Sequence, residues 1–242
     1  MSNFLSGPVQ VAAQTLHSSS PDQYHKLGEL VFSNDGRAFR YVQAGGTALI
    51  AGQLQQSQAE DTDTQNMTAV AAAVGDLSIV STTTVTVTAN EYAEGFILVS
   101  VTPGVGRQYK IKGHAAFAAA APTFNLDNDS VRVALTTDSR LDALANPFKA
   151  VIVNPTTLTG AVLGVAVHPV TGTEFGWLQV SGVANVLADG AILVGSAVTA
   201  SDGTAGAAET AALNTGTLTL IGTAMTGISN TEYGAVNLHG IL

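Results

Sequence analysis

The sequence predicts an all-β protein: antiparallel β-sandwich or small β-barrel modules, with an extended N-terminal arm and at most one or two short helices. The main observation is the segment at residues 160–198, where short apolar runs rich in Val, Leu and Thr are separated by glycines. Such runs of about four to eight residues between turn formers are typical of antiparallel strands. Each glycine would cost about 1 kcal/mol in a helix interior, so the segment disfavours a helix.

The composition supports a folded chain with a substantial core. Of 242 residues, 46% are hydrophobic and 11% are charged, whereas disordered chains have the opposite balance. The chain contains no cysteine, which excludes disulfides and thiolate metal sites.

The distribution of charge makes nucleic acid a poor partner. The formal net charge is −9, and all nine Lys and Arg residues lie at or before Lys149. Binding a phosphate backbone requires clustered basic side chains. The one local cluster is Arg107, Lys110 and Lys112, in which the last two share a face of a predicted strand. We therefore expect no nucleic-acid partner.

No membrane segment is expected either. The first residues lack the basic and apolar regions of a secretory signal, and no run approaches the ~18 apolar residues of a membrane span. These features predict a soluble protein made in a cytoplasm.

Turn-forming residues divide the chain into three predicted segments. Residues 1–26 form an extended arm, residues 27–158 a β-rich domain, and residues 159–242 a glycine-punctuated small barrel or sandwich. The arm carries scattered apolar residues that are candidates for docking on a capsid or another subunit: Phe4, Leu5, Val9, Val11 and Leu16.

Local patterns predict individual elements within these segments. Residues 27–43 form the clearest hairpin, because Asp35-Gly36 supplies the positive φ angles of a tight turn. A short helix is predicted near residues 66–74, from apolar side chains at helical spacing before Gly75. Residues 27–42 and 187–203 share a rhythm of strand, Asp-Gly turn and strand, but their side chains do not match well enough to indicate a repeat.

No constellation of reactive side chains is apparent. The five histidines are scattered without ligand spacing: His17, His25, His114, His168 and His239. The acidic run from Glu60 to Asp63 is explained by an exposed loop. The turn at 127–129 begins like a calcium loop, yet Arg132 stands where that loop needs glycine. The sequence therefore predicts no catalytic residue, no metal and no cofactor, and a protein that is not an enzyme.

The single tryptophan, Trp177, lies on a predicted strand at residues 175–180. An indole in this position is either an anchor in a core or at an interface, or a surface on which a sugar can stack. The sequence leaves both alternatives open.

With these features described, the chain resembles the capsid decoration, or cement, proteins of tailed bacteriophages. The resemblance covers residues 27–242 and excludes the arm. The segments that carry it are LGELVFSNDGRAFRYVQAGG, EYAEGFILVSVTPGVGRQYKIKGH, NPFKAVIVNP, GVAVHPVTGTEFGWLQVSGVANVLADGAILVGSAV, IGTAM and AVNLHGIL.

The resemblance implies a β-rich and often trimeric protein, bound outside the capsid at junctions between major capsid subunits. It carries no active-site residue. The expected location is the outer surface of the virion, with the major capsid protein as partner, a homo-oligomer (trimer favoured), and the arm residues and Trp177 as possible interface residues. The alternative is a phage tail or fibre subunit, or a virion module that binds a host glycan through Trp177. A polysaccharide depolymerase is a third, less favoured class.

Overall fold

A computed structural model describes residues 16–118, 121–212 and 219–241. All eighteen named secondary-structure elements in these residues are β-strands, and a single residue, Leu16, has a helical assignment. The predicted all-β class is therefore confirmed.

The chain forms two compact units, one inserted in the other. The first combines Met1–Ala59 with Pro147–Leu242 and is called the discontinuous unit; the second, Glu60–Asn146, is called the barrel unit. This division differs from the predicted domain boundary at residue 158, because strands on both sides of that boundary pair in one sheet.

The discontinuous unit contains one ten-stranded sheet. Its strands are β1 (Leu30–Phe32), β2 (Ala38–Gln43), β3 (Leu54–Gln56), β12 (Ile152–Val153), β13 (Val162–Ala166), β14 (Phe175–Leu187), β15 (Ala197–Ala200), β16 (Ala208–Thr210), β17 (Leu220–Ala224) and β18 (Tyr233–His239). The predicted hairpin at 27–43 is present as β1 and β2, with Gly36 at a φ of 84° in its turn.

The barrel unit is a closed barrel of six strands in the order β10-β5-β4-β11-β7-β8, with β6 and β9 forming a separate pair. Its strands are β4 (Met67–Ala69), β5 (Ser78–Thr82), β6 (Thr86–Val87), β7 (Phe96–Val101), β8 (Gln108–Gly113), β9 (Phe117–Ala118), β10 (Thr123–Leu126) and β11 (Arg140–Leu144). Alternate side chains fill the interior, as the two-residue period of a strand requires. The fully buried ones include Ile79, Ile97, Tyr109, Ile111, Phe124 and Leu141.

The helix predicted near residues 66–74 is wrong. Met67 and Ala69 are buried while Thr68 between them is half-exposed, which is the period of a strand. Strand β4 pairs with β5 on one edge and with β11 on the other. These ladders satisfy the backbone, so tertiary pairing overrides a short apolar pattern that fits either structure.

The last part of the predicted arm, residues 16–26, contacts the discontinuous unit at Leu16 and Ser20. Leu16 is buried in its core. The Ser20 N–H donates to the Phe175 carbonyl at 3.1 Å, and the Phe175 N–H donates back at 2.8 Å. Residues 1–15 lie outside the described residues.

The sheet of the discontinuous unit contains two copies of one five-stranded pattern. The first repeat consists of β2, β3, β12, β13 and the first half of β14. The second repeat consists of the second half of β14, β15, β16, β17 and β18. Strand β14 is shared, because its first half pairs with β2 and its second half pairs with β18.

The two repeats match residue for residue in their pairing. The β3–β13 pairs are Leu54–Val165, Gln55–Gly164 and Gln56–Val162. The corresponding β15–β17 pairs are Ala197–Thr223, Val198–Gly222 and Thr199–Leu220. Each ladder skips one residue at the same place, so the β-bulge is repeated as well. A chance similarity between these two pairs of strands would not reproduce the β-bulge at the same position.

The amino-acid sequences of the repeats align without a gap between residues 162–183 and 220–241. The residues identical in the first of these segments are Gly164, Ala166, Thr173, Glu174, Gly176 and Gly182. Thr173 and its equivalent Thr231 both have positive φ angles, 69° and 65°. The second segment is therefore a diverged copy of the first.

Close backbone approach explains why glycine persists at the bulge. A Cβ atom on Gly164 would lie 2.5 Å from the carbonyl oxygen of Gln179, and one on Gly222 would collide with the carbonyl of Asn237. Gln179 and Asn237 are themselves equivalent in the alignment. Only glycine fits at either site.

Comparison of the two repeats shows where the barrel unit is inserted in the chain. In the second repeat the connection from β15 to β16 is residues 201–207, whereas in the first the connection from β3 to β12 contains the whole barrel unit. Hairpin connections are the sites at which folds best tolerate inserted domains.

We predict that the two units fold independently. Replacing residues 60–146 by a short Gly/Ser linker should change the Tm of the discontinuous unit by less than about 5 °C, or about 1 kcal/mol, because each strand ladder closes within one unit. Residues 60–146 expressed alone should also unfold cooperatively. Thermal unfolding followed by circular dichroism measures the Tm of each unit, and amide NMR spectra show whether each is folded. Loss of amide chemical-shift dispersion in either isolated unit would contradict the prediction.

Candidate interaction surface

The two predicted interface residues that the structure describes are both in a core. Leu16 and Trp177 belong to the same buried cluster of the discontinuous unit, and Trp177 is 3% exposed. The His25 and Tyr41 rings meet the indole edge-on, with ring centroids 5.1 Å and 4.9 Å away. The indole faces are thus covered by the chain itself.

This burial corrects the assignment of Leu16 and Trp177 to an interface. A side chain enclosed by its own unit contacts neither a capsid subunit nor a sugar, so the alternative in which Trp177 stacks on a glycan loses its basis. The other four predicted interface residues, Phe4, Leu5, Val9 and Val11, lie outside the described residues.

The polar residues that the sequence analysis considered for metal binding are engaged within the barrel unit. The Tyr92 hydroxyl donates to Asp61, and the Tyr92 N–H donates to His114 Nε2 at 3.0 Å. Asp129 forms an ion pair with Arg132 at 3.2 Å. Among the described residues, no group of three or more His, Asp or Glu side chains is arranged to hold a metal ion.

The shifted pKa values have structural explanations. Burial raises the pKa of Tyr92, and its hydrogen bond to the Asp61 carboxylate raises it further. Burial and the nearby carboxylates of Asp202 and Asp189 raise the pKa of Glu209. On the exposed hairpin turn, hydrogen bonds from Ser33 and Arg37 lower the pKa of Asp35 to about 2. These groups lie on separate strands and turns and form no acid–base pair.

Three exposed apolar side chains of the discontinuous unit lie on two adjacent turns. Leu193, Val194 and Met225, which we call the apolar turn patch, are 73%, 68% and 52% exposed. The two turns are joined because the Gly195 N–H donates to the Ala224 carbonyl at 2.8 Å. The patch is thus carried on hydrogen-bonded turns and not on a loose loop.

The buried residue before the patch fixes its position. Ile192 exchanges two backbone hydrogen bonds of 2.9 Å with Ile228, and both side chains are in the core. The first repeat presents an equivalent turn, in which Gly52 donates to Ala166 at 2.7 Å and Ile50 is exposed. Each repeat therefore carries an exposed apolar side chain on an equivalent hydrogen-bonded turn.

The patch does not follow from the strand pattern predicted for this segment. Residues 189–198 lie in the segment predicted as strands. The alternation of a strand would place every second side chain of these residues in the core. The signal that distinguishes them is an unbroken apolar run, residues 191–194, that ends directly at Gly195, which adopts a positive φ of 81°. Neighbouring residues of a turn can both point to solvent, whereas neighbours on a strand point to opposite faces.

A groove lies where the two repeats meet. Its volume is about 550 Å³, and its lining includes His17, Gly52, Gln179, Val183 and Asn185. The Gln179 side-chain amide donates to the carbonyls of Ser181 and Val183 at 3.1 Å and 2.9 Å. The exposed edge of the second half of β14 forms one wall.

With the fold and these surfaces defined, comparison with known proteins gives no assignment: no family model, no curated protein and no solved structure matches the chain. In the part of the chain that the structure describes, no helix has the length and apolar character needed to cross a membrane.

Packing predicts that Trp177 is a stability residue. Replacing it by alanine should reduce the free energy of unfolding by about 3–5 kcal/mol, the usual cost of removing a buried large aromatic side chain. The matched control is Tyr24→Ala, because Tyr24 is 72% exposed and its loss should cost at most about 0.5 kcal/mol. Denaturant titration measures both; similar small losses would show that the indole is not packed as described.

Proposed function

We propose that this chain is a structural virion protein that decorates the outside of a tailed-phage capsid and stabilises contacts between major capsid subunits. The observation that carries the proposal is the apolar turn patch: three large apolar side chains held in water on hydrogen-bonded turns. Exposed apolar clusters of this kind mark protein–protein contact sites.

The free energy of burying these side chains favours a stable contact with a partner surface. Fully burying one large apolar side chain contributes about 1.5–3 kcal/mol, so burying the patch on a complementary surface would give a substantial part of a stable interface. Because the turns are already fixed by Ile192 and Ile228, little conformational entropy is lost on binding.

The resemblance noted above supplies the partner. Decoration proteins bind the outer surface of the head, and an all-β protein with few charges suits that role. In this proposal the partner is the major capsid protein, the location is the outer capsid surface, and the protein acts as a homo-oligomer, with a trimer favoured. The protein has no enzymatic role in this proposal.

A capsid-binding assay tests the role of the patch. The double variant Leu193→Asp/Met225→Asp should bind shells that lack this protein at least tenfold more weakly, since tenfold corresponds to about 1.4 kcal/mol. Its Tm should stay near that of the parent because both side chains are exposed. The control is Val105→Asp, on an exposed turn of the barrel unit, which should leave binding unchanged.

Electron microscopy of the reconstituted particles distinguishes the proposal from a tail function. Density at symmetric sites over the whole head supports decoration. Density at one vertex or on tails alone overturns it, as does equal shell occupancy by the parent and the double variant.

A further inference from the structure

The apolar turn patch has a counterpart in the first repeat. Residues 48–52 read Ala-Leu-Ile-Ala-Gly, and residues 191–195 read Ala-Ile-Leu-Val-Gly. The β3–β13 and β15–β17 ladders pair in the same way, so these two segments are equivalent in the two repeats. Ile50, Ala51 and Val167 together are called the first-repeat turn.

The backbone hydrogen bonds of the two turns also match. In the first repeat the Gln53 N–H donates to the Ile50 carbonyl at 3.2 Å. In the second, the Ser196 N–H donates to the Leu193 carbonyl at 3.1 Å. The glycine of each turn has a positive φ, 75° in the first repeat and 81° in the second. The two turns therefore present their side chains on the same backbone framework.

A buried aliphatic residue attaches each turn to the core. Leu49 exchanges backbone hydrogen bonds of 2.8 Å and 3.1 Å with Val170, in the way that Ile192 does with Ile228. All four side chains are buried. Both turns are thus held in place before binding, so little conformational entropy is lost when either turn contacts a partner.

Apolar side chains occupy equivalent positions on the two turns. The pairs are Ile50 with Leu193, Ala51 with Val194, and Val167 with Met225. Ile50 is 48% exposed, and Ala51 and Val167 are half-buried. Residues 47–53 and 190–196 carry no charged side chain. Because a water-facing position in a duplicated turn can accept a polar residue at little cost, the apolar character of all three pairs points to a shared contact.

The second repeat partly covers the first-repeat turn. The Leu187 N–H donates to the Gly52 carbonyl at 2.9 Å, and a Cβ atom on Gly52 would lie 2.5 Å from Tyr233 Cε1. A Cβ atom on Gly195 would meet no described atom within 4 Å. We therefore expect the first-repeat turn to make the smaller of the two contacts.

We propose that the chain is bivalent: the first-repeat turn and the apolar turn patch bind the same uncharged, apolar site on two neighbouring copies of the major capsid subunit. This mode of binding rests on the capsid-decoration function proposed above. Two equivalent turns suit two copies of one partner, because the same backbone presents apolar side chains at the same three positions. A partner with a single site would give no reason for both turns to keep this character.

The fold fixes the separation of the two turns, because both belong to one ten-stranded sheet. Once one turn is bound, the second binding event is intramolecular, and such linkage raises the apparent affinity by about 10²–10⁴ over that of a single site. Two small apolar contacts would thereby hold the chain on the capsid and link the two subunits beneath it.

Shell binding by single variants tests this bivalent mode. Ile50→Asp and Leu193→Asp should each bind shells that lack this protein at least tenfold more weakly than the parent, because each removes one of two linked contacts. The loss should appear mainly as faster dissociation. The double variant Ile50→Asp/Leu193→Asp should lose measurable binding.

The matched control is Leu158→Asp, because Leu158 is 45% exposed in the same unit and lies outside both turns. It should bind shells as the parent does. The Tm of each variant, measured by circular dichroism, should stay near that of the parent. If Ile50→Asp does not fold, Ile50→Ser serves in its place and should again weaken binding, since it removes the apolar side chain without adding a charge.

The pattern of results separates this bivalent mode from the decoration function itself. Weaker binding by only one of the two single variants overturns bivalency and leaves decoration standing. Parental binding by all three variants overturns both. A change of oligomeric state in either single variant, measured by light scattering, overturns the capsid contact in favour of contact between copies of this chain.

Discussion

The discontinuous unit depends on one shared strand, β14, which pairs with three other strands. Its first half closes the first repeat against β2 and β13, and its second half opens the next repeat against β18. A one-residue slip of β14 would mismatch its pairs with β2, β13 and β18, and in its second half it would turn the buried Ala184 and Val186 to water. The register of β14 therefore fixes both repeats together. At each bulge a glycine lies close to the neighbouring strand, Gly164 against Gln179 of β14 and Gly222 against Asn237 of β18.

Much of the fold was accessible from the sequence. The hairpin at 27–43 and the strand character of residues 160–198 follow from turn chemistry and β-branched residues, which act locally. The helix predicted near residue 70 is wrong because the backbone there is satisfied by ladders to β5 and β11, and β11 is distant in sequence. The docking of residues 16–26 was missed for the same reason, since Leu16 gains its burial from the folded sheet.

The repeat is not apparent from the two segments that share an Asp-Gly turn. Residues 27–42 and 187–203 share a rhythm but are not equivalent, whereas residues 162–183 and 220–241 align without a gap. The shared strand β14 hides where one copy ends, and the barrel unit separates β3 from β12 within the first copy. The burial of Trp177 and the exposure of Leu193 both depend on the tertiary arrangement. The composition of the chain therefore could not predict which of the two side chains is exposed.

The position of the barrel unit has a consequence for synthesis on the ribosome. Within the described residues, the strands that pair with β3 are β12 and β13. Both emerge after the entire barrel unit, so these two partners of β3 are absent while residues 60–146 are being made. The six strands of the barrel, in contrast, all emerge before its partners. Domains fold as units during synthesis at roughly 5–20 residues per second. The barrel unit is therefore complete first, whereas the discontinuous unit is completed only after β14 has left the ribosome.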